Sequence, residues 1–333
     1  ARAASYGKPR TMGFGCIKPA AGGRMPPRAE RPKAALLGLD WGTTSLRGYL
    51  IGPGGTILAE RAADAGILQI QDRAFAGALI GLAGDWLDRD DSLPIVASGM
   101  IGSRQGWVEA PYGEVPAAPG DISLHTLTDF DRPVHVVPGL CRHDEHGVPD
   151  VMRGEETQII GAHDGEMQDG LYLLPGSHSK WARVTAGAIT WFATFMTGEL
   201  FTALKDHTIL GRMMAGTAHI PEAFAQGVSF GSRPNSIMRS LFSARTLALF
   251  DELGEEDGAS YLSGLLIGAE IAEAHAFIPD TNGAPIMIIG NPDLGARYAT
   301  ALSLSGLVGQ QAATGAAARG QWRIASAAGI LRS

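Results

Sequence analysis

Short apolar runs separated by small-residue turns open the ordered part of the sequence. Residues 34–40, 47–51 and 56–59 each predict a strand, and the Gly-Pro-Gly-Gly sequence at 52–55 is typical of a tight turn. The runs follow one another too closely for an intervening helix. The pattern therefore predicts an antiparallel meander rather than a β-α-β unit.

The same order of elements returns about 135 residues later in the chain. Strands are predicted at 171–174, 181–184 and 189–192, with a small-residue polar loop after the first and a Gly turn before the third. Because a repeated supersecondary unit indicates related domains, we expect an N-terminal domain over 34–165 and a C-terminal domain over 166–333.

Apolar spacing predicts further helices and strands. Phe75, Leu79 and Trp86 fall on one helical face, with polar residues outside it. A chain of 333 residues is long enough for two domains, so mixed strands and helices indicate a two-domain α/β protein. The predicted helices are 75–86, 154–162 and an amphipathic 259–275, and the predicted strands are 93–97, 134–137 and 285–289.

Composition and charge exclude several classes of function. The chain is 45% hydrophobic and 18% charged, and its net charge of −7 provides no basic surface for nucleic acid or anionic lipid. No apolar run is long enough to span a bilayer. Cys16 and Cys141 lie far apart and show no metal-binding spacing, so we expect two free thiols in a reducing cytoplasm.

The first 33 residues differ from the rest of the chain. They carry a net charge of +7, which leaves −14 on the remainder, and they are rich in Ala, Gly and Pro. They contain no apolar segment of the kind that a secretory signal needs. We therefore expect residues 1–33 to form a disordered basic tail, with Met25 as a candidate translation start.

The first candidate site follows the first predicted strand. Asp40 ends that strand, and its side chain can hold Mg²⁺ through water. The glycine of the next loop lets the backbone approach a ligand, and three hydroxyls beside successive amide groups suit phosphate oxygens. An ordinary hairpin is the alternative, and the G-x-x-x-x-G-K-[ST] phosphate loop is absent. The loop residues are Gly42, Thr43, Thr44 and Ser45.

A comparable loop follows the strand at 171–174. One glycine, two hydroxyls, an imidazole and an ammonium group between apolar strands favour contact with phosphate or substrate. A core histidine and a solvated lysine are the alternatives. The residues are Gly176, Ser177, His178, Ser179 and Lys180.

Arg153, Glu155 and Glu156 mark the start of the helix predicted at 154–162. A carboxylate there can accept a proton from a hydroxyl group, and an arginine can bind a carboxylate or phosphate through two hydrogen bonds. We expect one glutamate to face the hydroxyl and the other to pair with Arg153. Which glutamate is the base stays open, and a charged helix terminus without a catalytic role is the alternative for one of them.

Two further segments contain candidate site residues, and a third matches a catalytic motif without the structural context that the motif requires. Gly198 and Glu199 could face the same cleft, although Glu199 equally suits a helix cap. Gly290 and Asn291 follow a predicted strand and suit an adenine or ribose contact through backbone groups. The G-x-S-x-G sequence around Ser229 matches a hydrolase nucleophile motif, but a helical pattern precedes it, so we interpret Ser229 as structural.

Together these segments resemble the 2-dehydro-3-deoxygalactonokinase family of the actin/hexokinase-like ATPase superfamily. The VMRGEETQ and PGSHSKW sequences are highly specific to the family, whereas DWGTT marks the whole superfamily. The loop at 290–293 matches only loosely, and the basic tail lies outside the resemblance. The matching stretches are DWGTTSLR (40–47), SGMIGS (98–103), VPGL (137–140), VMRGEETQ (151–158), LPGSHSKW (174–181), FMTGEL (195–200) and YLSGLLIGAE (261–270).

The resemblance implies an α/β fold of two actin-like (ribonuclease H-like) domains with the nucleotide in the cleft between them. It also implies ATP and Mg²⁺, and transfer of a phosphoryl group to the terminal hydroxyl of 2-dehydro-3-deoxy-D-galactonate, giving the 6-phosphate. Residues 40–45 and 176–180 would then be the two phosphate loops. Because such a substrate carries a carboxylate, Arg153 and Arg104 become candidates to bind it.

Other interpretations stay open at this point. The substrate could be another 2-keto-3-deoxy acid, such as the gluconate epimer, because the sequence does not resolve one stereocentre. A non-catalytic nucleotide-dependent sugar-sensing switch and a sugar-responsive regulator are further alternatives. The expected partner is a small sugar acid, without nucleic acid or membrane, and the oligomeric state is open, a homodimer included.

Overall fold

A computed structural model of the chain describes residues 33–233, 237–277 and 283–331. The predicted tail therefore lies outside the described residues, except for Lys33, and so do Cys16 and Met25. The strands are β1 (Leu36–Trp41), β2 (Leu46–Ile51), β3 (Ile57–Ala63), β4 (Ile95–Gly99), β5 (Gly113–Glu114), β6 (His125–Leu127), β7 (Val134–Val136), β8 (Leu140–His143), β9 (Pro149–Met152), β10 (Gly170–Leu174), β11 (Ser179–Thr185), β12 (Ala188–Phe195), β13 (Ile286–Ile288) and β14 (Gly309–Gln311). The helices are α1 (Phe75–Leu87), α2 (Glu155–Ile160), α3 (Thr197–His207), α4 (Pro221–Gly231), α5 (Ile237–Ser240), α6 (Ser243–Leu249), α7 (Gly258–Phe277), α8 (Pro292–Leu304) and α9 (Ala316–Ala327).

The first sheet has six strands in the order β3-β2-β1-β4-β7-β6. The predicted meander is confirmed, because β1, β2 and β3 pair antiparallel, while β4 and β7 extend the sheet parallel to β1. The pairing register sets Asp40 opposite Arg47 on β2 and beside Ser98 on β4. Asp40 and the loop that follows β4 therefore lie at the same edge of the sheet.

The second sheet has five strands in the order β12-β11-β10-β13-β14. Its first three strands in the chain pair antiparallel, and β13 and β14 continue the sheet parallel to β10. This arrangement repeats that of β3-β2-β1-β4-β7, so the predicted recurrence of the opening unit is confirmed. The boundary between residues 34–165 and 166–333 stays a prediction. A small sheet of β5, β8 and β9 was not predicted.

The last helix, α9, returns to the first sheet. The buried Gln321 amide nitrogen donates to the Leu39 carbonyl oxygen at 2.7 Å and to the Ser98 hydroxyl at 2.9 Å. Gly320 lies so close to the carbonyl oxygen of Thr157 on α2 that any side chain would overlap it. The end of the chain therefore covers β1 and α2, a contact that local sequence patterns do not indicate.

Helix α7 is buried on nearly all sides over its first 14 residues, so the prediction of an amphipathic helix was wrong. The physical reason is that α4, α3 and α8 all pack against it. Glycines of α4 and α7 allow this close approach, which accounts for the G-x-S-x-G sequence. The helix predicted before Ser229 is confirmed, since α4 begins at Pro221, and Ser229 is exposed on it. Among the described residues, no helix has both the length and the apolar character needed to cross a membrane.

We expect Gly264→Ala in α7 to lower the melting temperature. Replacing glycine by alanine inside a helix normally stabilises it by about 0.5–1 kcal/mol. At Gly264, however, the new methyl group would overlap the carbonyl oxygen of Phe224 on α4, and overpacking costs about 1–3 kcal/mol. Gly81→Ala is the matched control, because Gly81 is an exposed helix residue of α1 with no atom near the added methyl. A stabilised Gly264→Ala protein would contradict the packing argument.

Candidate active site

The first loop is a tight hairpin between β1 and β2. The Gly42 amide donates to the Ser45 carbonyl oxygen at 2.9 Å. Gly66 lies against the backbone of Thr43 and Thr44 so closely that a side chain would overlap it, which holds the loop in place from one side. Both threonines are exposed, and their amides donate to no backbone carbonyl of the described chain. These amides are therefore available to phosphate oxygens.

Asp40 lies at the base of this loop in an environment that disfavours its charge. Burial raises the pKa of Asp40 to about 6, Arg47 opposes this shift, and the Glu155 carboxylate adds to it. A role for Arg47 was not predicted from the sequence, although a four-residue hairpin loop implies that residues 40 and 47 face each other across β1 and β2. The start of α2 lies near this edge of the sheet, because Gly154 packs against Gly99, which pairs with Trp41 at the end of β1.

Glu155 is near both loops. Its carboxylate accepts a hydrogen bond from the Arg153 main-chain amide at 2.8 Å. Burial raises the pKa of Glu155, whereas the charges of Lys180 and His178 lower it. The Glu155 charge in turn raises the pKa of Asp40 on β1. The backbone just before Glu155 is unusual, because Gly154 has a φ of +107° and packs against Gly99 of β4.

Glu156 points into the protein and has no exposed surface. One carboxylate oxygen accepts from the Gly154 amide at 2.7 Å, and the other accepts from the Thr157 hydroxyl at 2.8 Å. Burial, together with the charge of the neighbouring Glu155, raises the pKa of Glu156 to about 8. At neutral pH the protonated form of Glu156 is therefore favoured. This environment agrees with the alternative, left open by the sequence, that one of the two glutamates has only a structural role at the helix terminus.

This shift predicts a pH dependence of stability. The pKa of Glu156 rises from 4.5 to about 8 on folding, so between these values the folded protein keeps a proton that the unfolded chain releases. Stability from this group therefore falls as pH rises, by at most about 1.4 kcal/mol per pH unit. The melting temperature of Glu156→Gln minus that of the wild type should therefore increase from pH 5 to pH 8. For Glu166→Gln, which replaces an exposed glutamate, the same difference should stay constant.

The second loop is shorter than predicted, because β11 begins at Ser179. Lys180 therefore belongs to a strand and is only 6% exposed. Its Nζ donates to the Thr194 hydroxyl at 2.7 Å, and that hydroxyl donates to Asp150 at 2.5 Å. Asp150 and Thr194 were not identified from the sequence, because the strand β9 that contains Asp150 was not predicted. They hold the Lys180 ammonium in one position.

The Ser179 hydroxyl does not face the loop, which corrects the prediction that it contacts phosphate. Ser179 is fully buried, and its Oγ lies 2.8 Å from the Tyr298 hydroxyl oxygen. Strand alternation explains the difference, because Ser179 and Lys180 are neighbours in β11 and must point to opposite faces.

The start of α3 lies against the second loop. A side chain at Gly198 would overlap the Gly176 carbonyl oxygen, and the Glu199 amide donates to the Ser177 carbonyl oxygen at 3.0 Å. The His178 Nε2 and a Glu199 carboxylate oxygen are 2.5 Å apart in a half-exposed pair. The structure thus brings together residues of the second loop and of the 195–200 segment.

The loop after β13 lies beside the second loop. A Cβ built on Gly290 would be 3.7 Å from the Pro175 carbonyl oxygen. The Asn291 side chain caps α8, since its oxygen accepts from the Asp293 and Leu294 amides at 2.9 and 3.1 Å. Its carboxamide oxygen is therefore engaged within the protein, and a nucleotide contact at this loop would use backbone groups, as predicted.

Arg153 does not pair with either glutamate, so that expectation was wrong. Its Nη2 donates to the Ala110 carbonyl oxygen at 3.0 Å, and its guanidinium lies 4.1 Å from the ring centroid of Tyr112. The arginine side chain runs toward Gly102 instead, and its packing against Ala110 and Tyr112 holds it there. Two of its guanidinium nitrogens, Nε and Nη1, are buried without a hydrogen-bond partner among the described residues.

Arg104 stands apart from this buried arginine. Its side chain is 86% exposed and pairs with Glu109 at 3.2 Å. The two arginines predicted to bind a carboxylate therefore lie in different environments, and only Arg153 has buried unpaired donors.

The residues present fit Mg²⁺ held chiefly by phosphates and water. Within the described part of the chain, no group of three or more His, Cys, Asp and Glu could form a metal site. Mg²⁺ in phosphate sites usually takes only one or two carboxylates and keeps several waters. Asp40 suits this role, because its half-buried carboxylate is repelled by that of Glu155, and a divalent cation would offset the repulsion.

Two solved structures share the overall fold of this chain. A crystal structure from Sinorhizobium meliloti, of a protein assigned as a 2-dehydro-3-deoxygalactonokinase, superposes with a TM-score of 0.77 at 36% identity, covering 89% of this chain and 98% of that chain. The activator of the 2-hydroxyisocaproyl-CoA dehydratase from Clostridium difficile, with bound ADPNP, has a TM-score of 0.51 at 12% identity over 89% of this chain and 96% of that chain, which is a likeness of fold alone. The predicted α/β fold of the actin-like type is confirmed.

Sequence comparisons identify the family. The family model for 2-keto-3-deoxy-galactonokinase matches residues 40–324. The Rhizobium meliloti (strain 1021) protein named "Probable 2-dehydro-3-deoxygalactonokinase DgoK1" is 41% identical over 279 residues, which cover 81% of this chain and 89% of that protein. The 2-dehydro-3-deoxygalactonokinase of Escherichia coli (strain K12) is 35% identical over 274 residues, which cover 82% of this chain and 91% of that protein. The chain therefore belongs to the 2-keto-3-deoxy-galactonokinase family.

Proposed function

We propose that this protein transfers the γ-phosphoryl group of ATP to the terminal hydroxyl of 2-dehydro-3-deoxy-D-galactonate, giving the 6-phosphate. The observation that carries the proposal is the position of Glu155 at the start of α2, directly after Gly154, which packs against Gly99 beside the end of β1. At this position the charges of Lys180 and His178 from the second loop lower the pKa of the Glu155 carboxyl. A phosphoryl group that passes between the loops would meet a hydroxyl beside this carboxylate. The substrate class follows from the family and from the names of the two curated relatives.

Glu155 is the proposed proton acceptor. A general base must be ionised and must lie near the hydroxyl that it activates. Burial raises the pKa of Glu155, but Lys180 and His178 lower it and so favour the ionised form. Glu156 does not suit this role, because its pKa of about 8 keeps it protonated at neutral pH and both of its oxygens already accept hydrogen bonds.

The two loops and Lys180 would bind and polarise the phosphates. An ammonium group has three donors, and one Lys180 donor is used on Thr194, which leaves the others for phosphoryl oxygens. The amides of Thr43 and Thr44 supply further donors from the first loop. Mg²⁺, held through water by Asp40, would supply charge neutralisation on the phosphates. Gly290 backbone groups would contact the adenosine.

Arg153 is the proposed partner of the substrate carboxylate. A buried guanidinium with two unpaired donors is costly, and an anion that bonded them would remove this cost. Arg104 lacks this support, because it is exposed and already paired with Glu109. Since ATP is supplied inside the cell, we place the reaction in the cytoplasm, as a step of D-galactonate catabolism.

A coupled assay of ADP release tests the proposal. Purified protein with Mg²⁺ and ATP is given 2-dehydro-3-deoxy-D-galactonate, its gluconate epimer, and D-galactonate, which lacks the 2-keto group. The first compound should show the highest kcat/KM and should yield a 6-phosphate by mass spectrometry and NMR. A higher kcat/KM for the epimer would reassign the substrate, and sugar-dependent ATP binding without turnover would favour a sensing switch.

A further inference from the structure

A second buried carboxylate, outside the proposed catalytic set, lies beneath the second loop. Glu270 on α7 is 3% exposed. The Trp181 indole nitrogen donates to one of its oxygens at 2.8 Å, and the Tyr298 hydroxyl donates to the other at 2.6 Å. The Ser179 hydroxyl lies 2.8 Å from the Tyr298 hydroxyl and completes the cluster. Every group in this Glu270 cluster is buried.

The donors of the cluster come from segments that form the proposed nucleotide side of the site. Ser179 directly follows the second loop, and Trp181 lies two residues further along β11. Thr197, which also hydrogen-bonds Glu270, begins α3 and precedes the glycine that contacts the second loop. Tyr298 lies on α8, about two turns after the loop at Gly290. Glu270 therefore hydrogen-bonds residues of β11, α8 and the start of α3. The second loop, which precedes β11, also contacts the start of α3 at Gly198 and the loop before α8 at Gly290.

We infer that Glu270 is a positioning residue for ATP: it holds the second phosphate loop, the start of α3 and the start of α8 in one arrangement. The inference rests on the proposed function. A carboxylate is acceptor-only, so it can satisfy several donors from separate segments at once. Burial raises the pKa of Glu270, and the hydrogen bonds from Thr197, Tyr298, Trp181 and Ser179 lower it, as expected if the cluster is matched to the ionised form.

A purely structural role would have different consequences from a positioning role. Loss of core stability lowers the melting temperature without favouring one substrate over the other. Loss of alignment between the second loop and α8 should weaken nucleotide binding, because those segments contact ATP, and should leave the sugar-acid site, at Arg153, unchanged. The ratio of the two KM values therefore separates the roles.

The test uses the full-length protein and three variants. Tyr298→Phe removes one donor of the cluster and keeps the ring, and Glu270→Gln removes the charge and keeps the shape. Tyr261→Phe is the matched control, because Tyr261 is also a buried tyrosine, lies on α7, and bonds through its hydroxyl to Ser243 at 2.7 Å. Steady-state KM for ATP and for the sugar acid, ADP binding by calorimetry, and melting temperature are measured for each.

We expect KM for ATP and Kd for ADP to rise about tenfold in Tyr298→Phe and at least as much in Glu270→Gln, with KM for the sugar acid changed less than about twofold. Tyr261→Phe should lower only the melting temperature. Unchanged nucleotide affinity in Tyr298→Phe, or equal rises in both KM values, would overturn the inference even if Glu270→Gln fails to fold. If the wild-type protein binds ADP but phosphorylates no sugar acid, only the proposed function is contradicted. The Kd for ADP of the variants would still decide the role of Glu270.

Discussion

Glu155→Gln is expected to lower kcat by ~10²–10⁴-fold, the usual contribution of general-base catalysis, with both KM values changed by less than about threefold. The reason is that the amide cannot accept the proton of the hydroxyl, whereas its shape keeps the hydrogen bond to the Arg153 amide. Steady-state kinetics with ATP and the sugar acid, with melting temperature measured alongside, check the result.

Glu156→Gln is the matched control for this prediction. It changes the adjacent glutamate in the same way, but Glu156 is fully buried and its pKa of about 8 keeps it protonated. We expect its kcat to stay within about threefold of the wild type. If the control loses more activity than Glu155→Gln, the assignment is reversed. If neither variant loses tenfold, the base lies elsewhere, and Asp40 or Glu199 is the next candidate.

Asp40→Asn is expected to remove most turnover, by ~10²–10³-fold, the order seen when one electrostatic contributor leaves a preorganised site. Sugar-acid affinity should be nearly intact, because Asp40 is proposed to act through Mg²⁺ and not on the sugar. Kinetics over a range of Mg²⁺ concentrations and calorimetry with the sugar acid measure the two effects. Since burial, the largest influence on Asp40, disfavours its charge more than Arg47 stabilises it, the melting temperature of the variant should not fall.

Asp64→Asn provides the control for Asp40→Asn, since Asp64 is an exposed aspartate just after β3, in the same part of the chain. It should leave kcat unchanged. Near-normal kcat in Asp40→Asn would refute the role of this carboxylate in holding Mg²⁺, and a large loss of sugar-acid affinity would place Asp40 on the sugar instead.

Much of the fold could be predicted from local patterns because those patterns are short-range. The apolar runs at 34–40 and 47–51 and the Gly-rich turn at 52–55 lie next to one another, so their pairing needs no distant information. The helix at 75–86 was likewise evident from its apolar face, and Phe75 and Leu79 are buried as predicted. The recurrence of this unit at 171–192 was visible for the same reason.

Elements whose environment depends on distant residues were the ones mispredicted. The spacing of α7 suggests an exposed face, but α4 and α8 cover it. The small sheet of β5, β8 and β9 was missed because its strands are short and polar and gain their stability from their neighbours. Arg153 was expected to pair with a nearby glutamate, but its side chain instead contacts Ala110 and Tyr112, which are about 40 residues away in the sequence.

By itself, the sequence determined the α/β class, the two loops rich in glycine and hydroxyl groups, and the set of charged residues from which the chemistry must be drawn. Tertiary structure alone decided what each charged residue does, because a pKa depends on burial and on charges that are distant in the chain. Glu155 and Glu156 are adjacent and identical in type, yet Glu155 lies near Lys180 and acts on Asp40, whereas Glu156 is sealed inside the helix terminus. No local pattern distinguishes the two, since the difference arises from which groups surround each side chain in the folded protein.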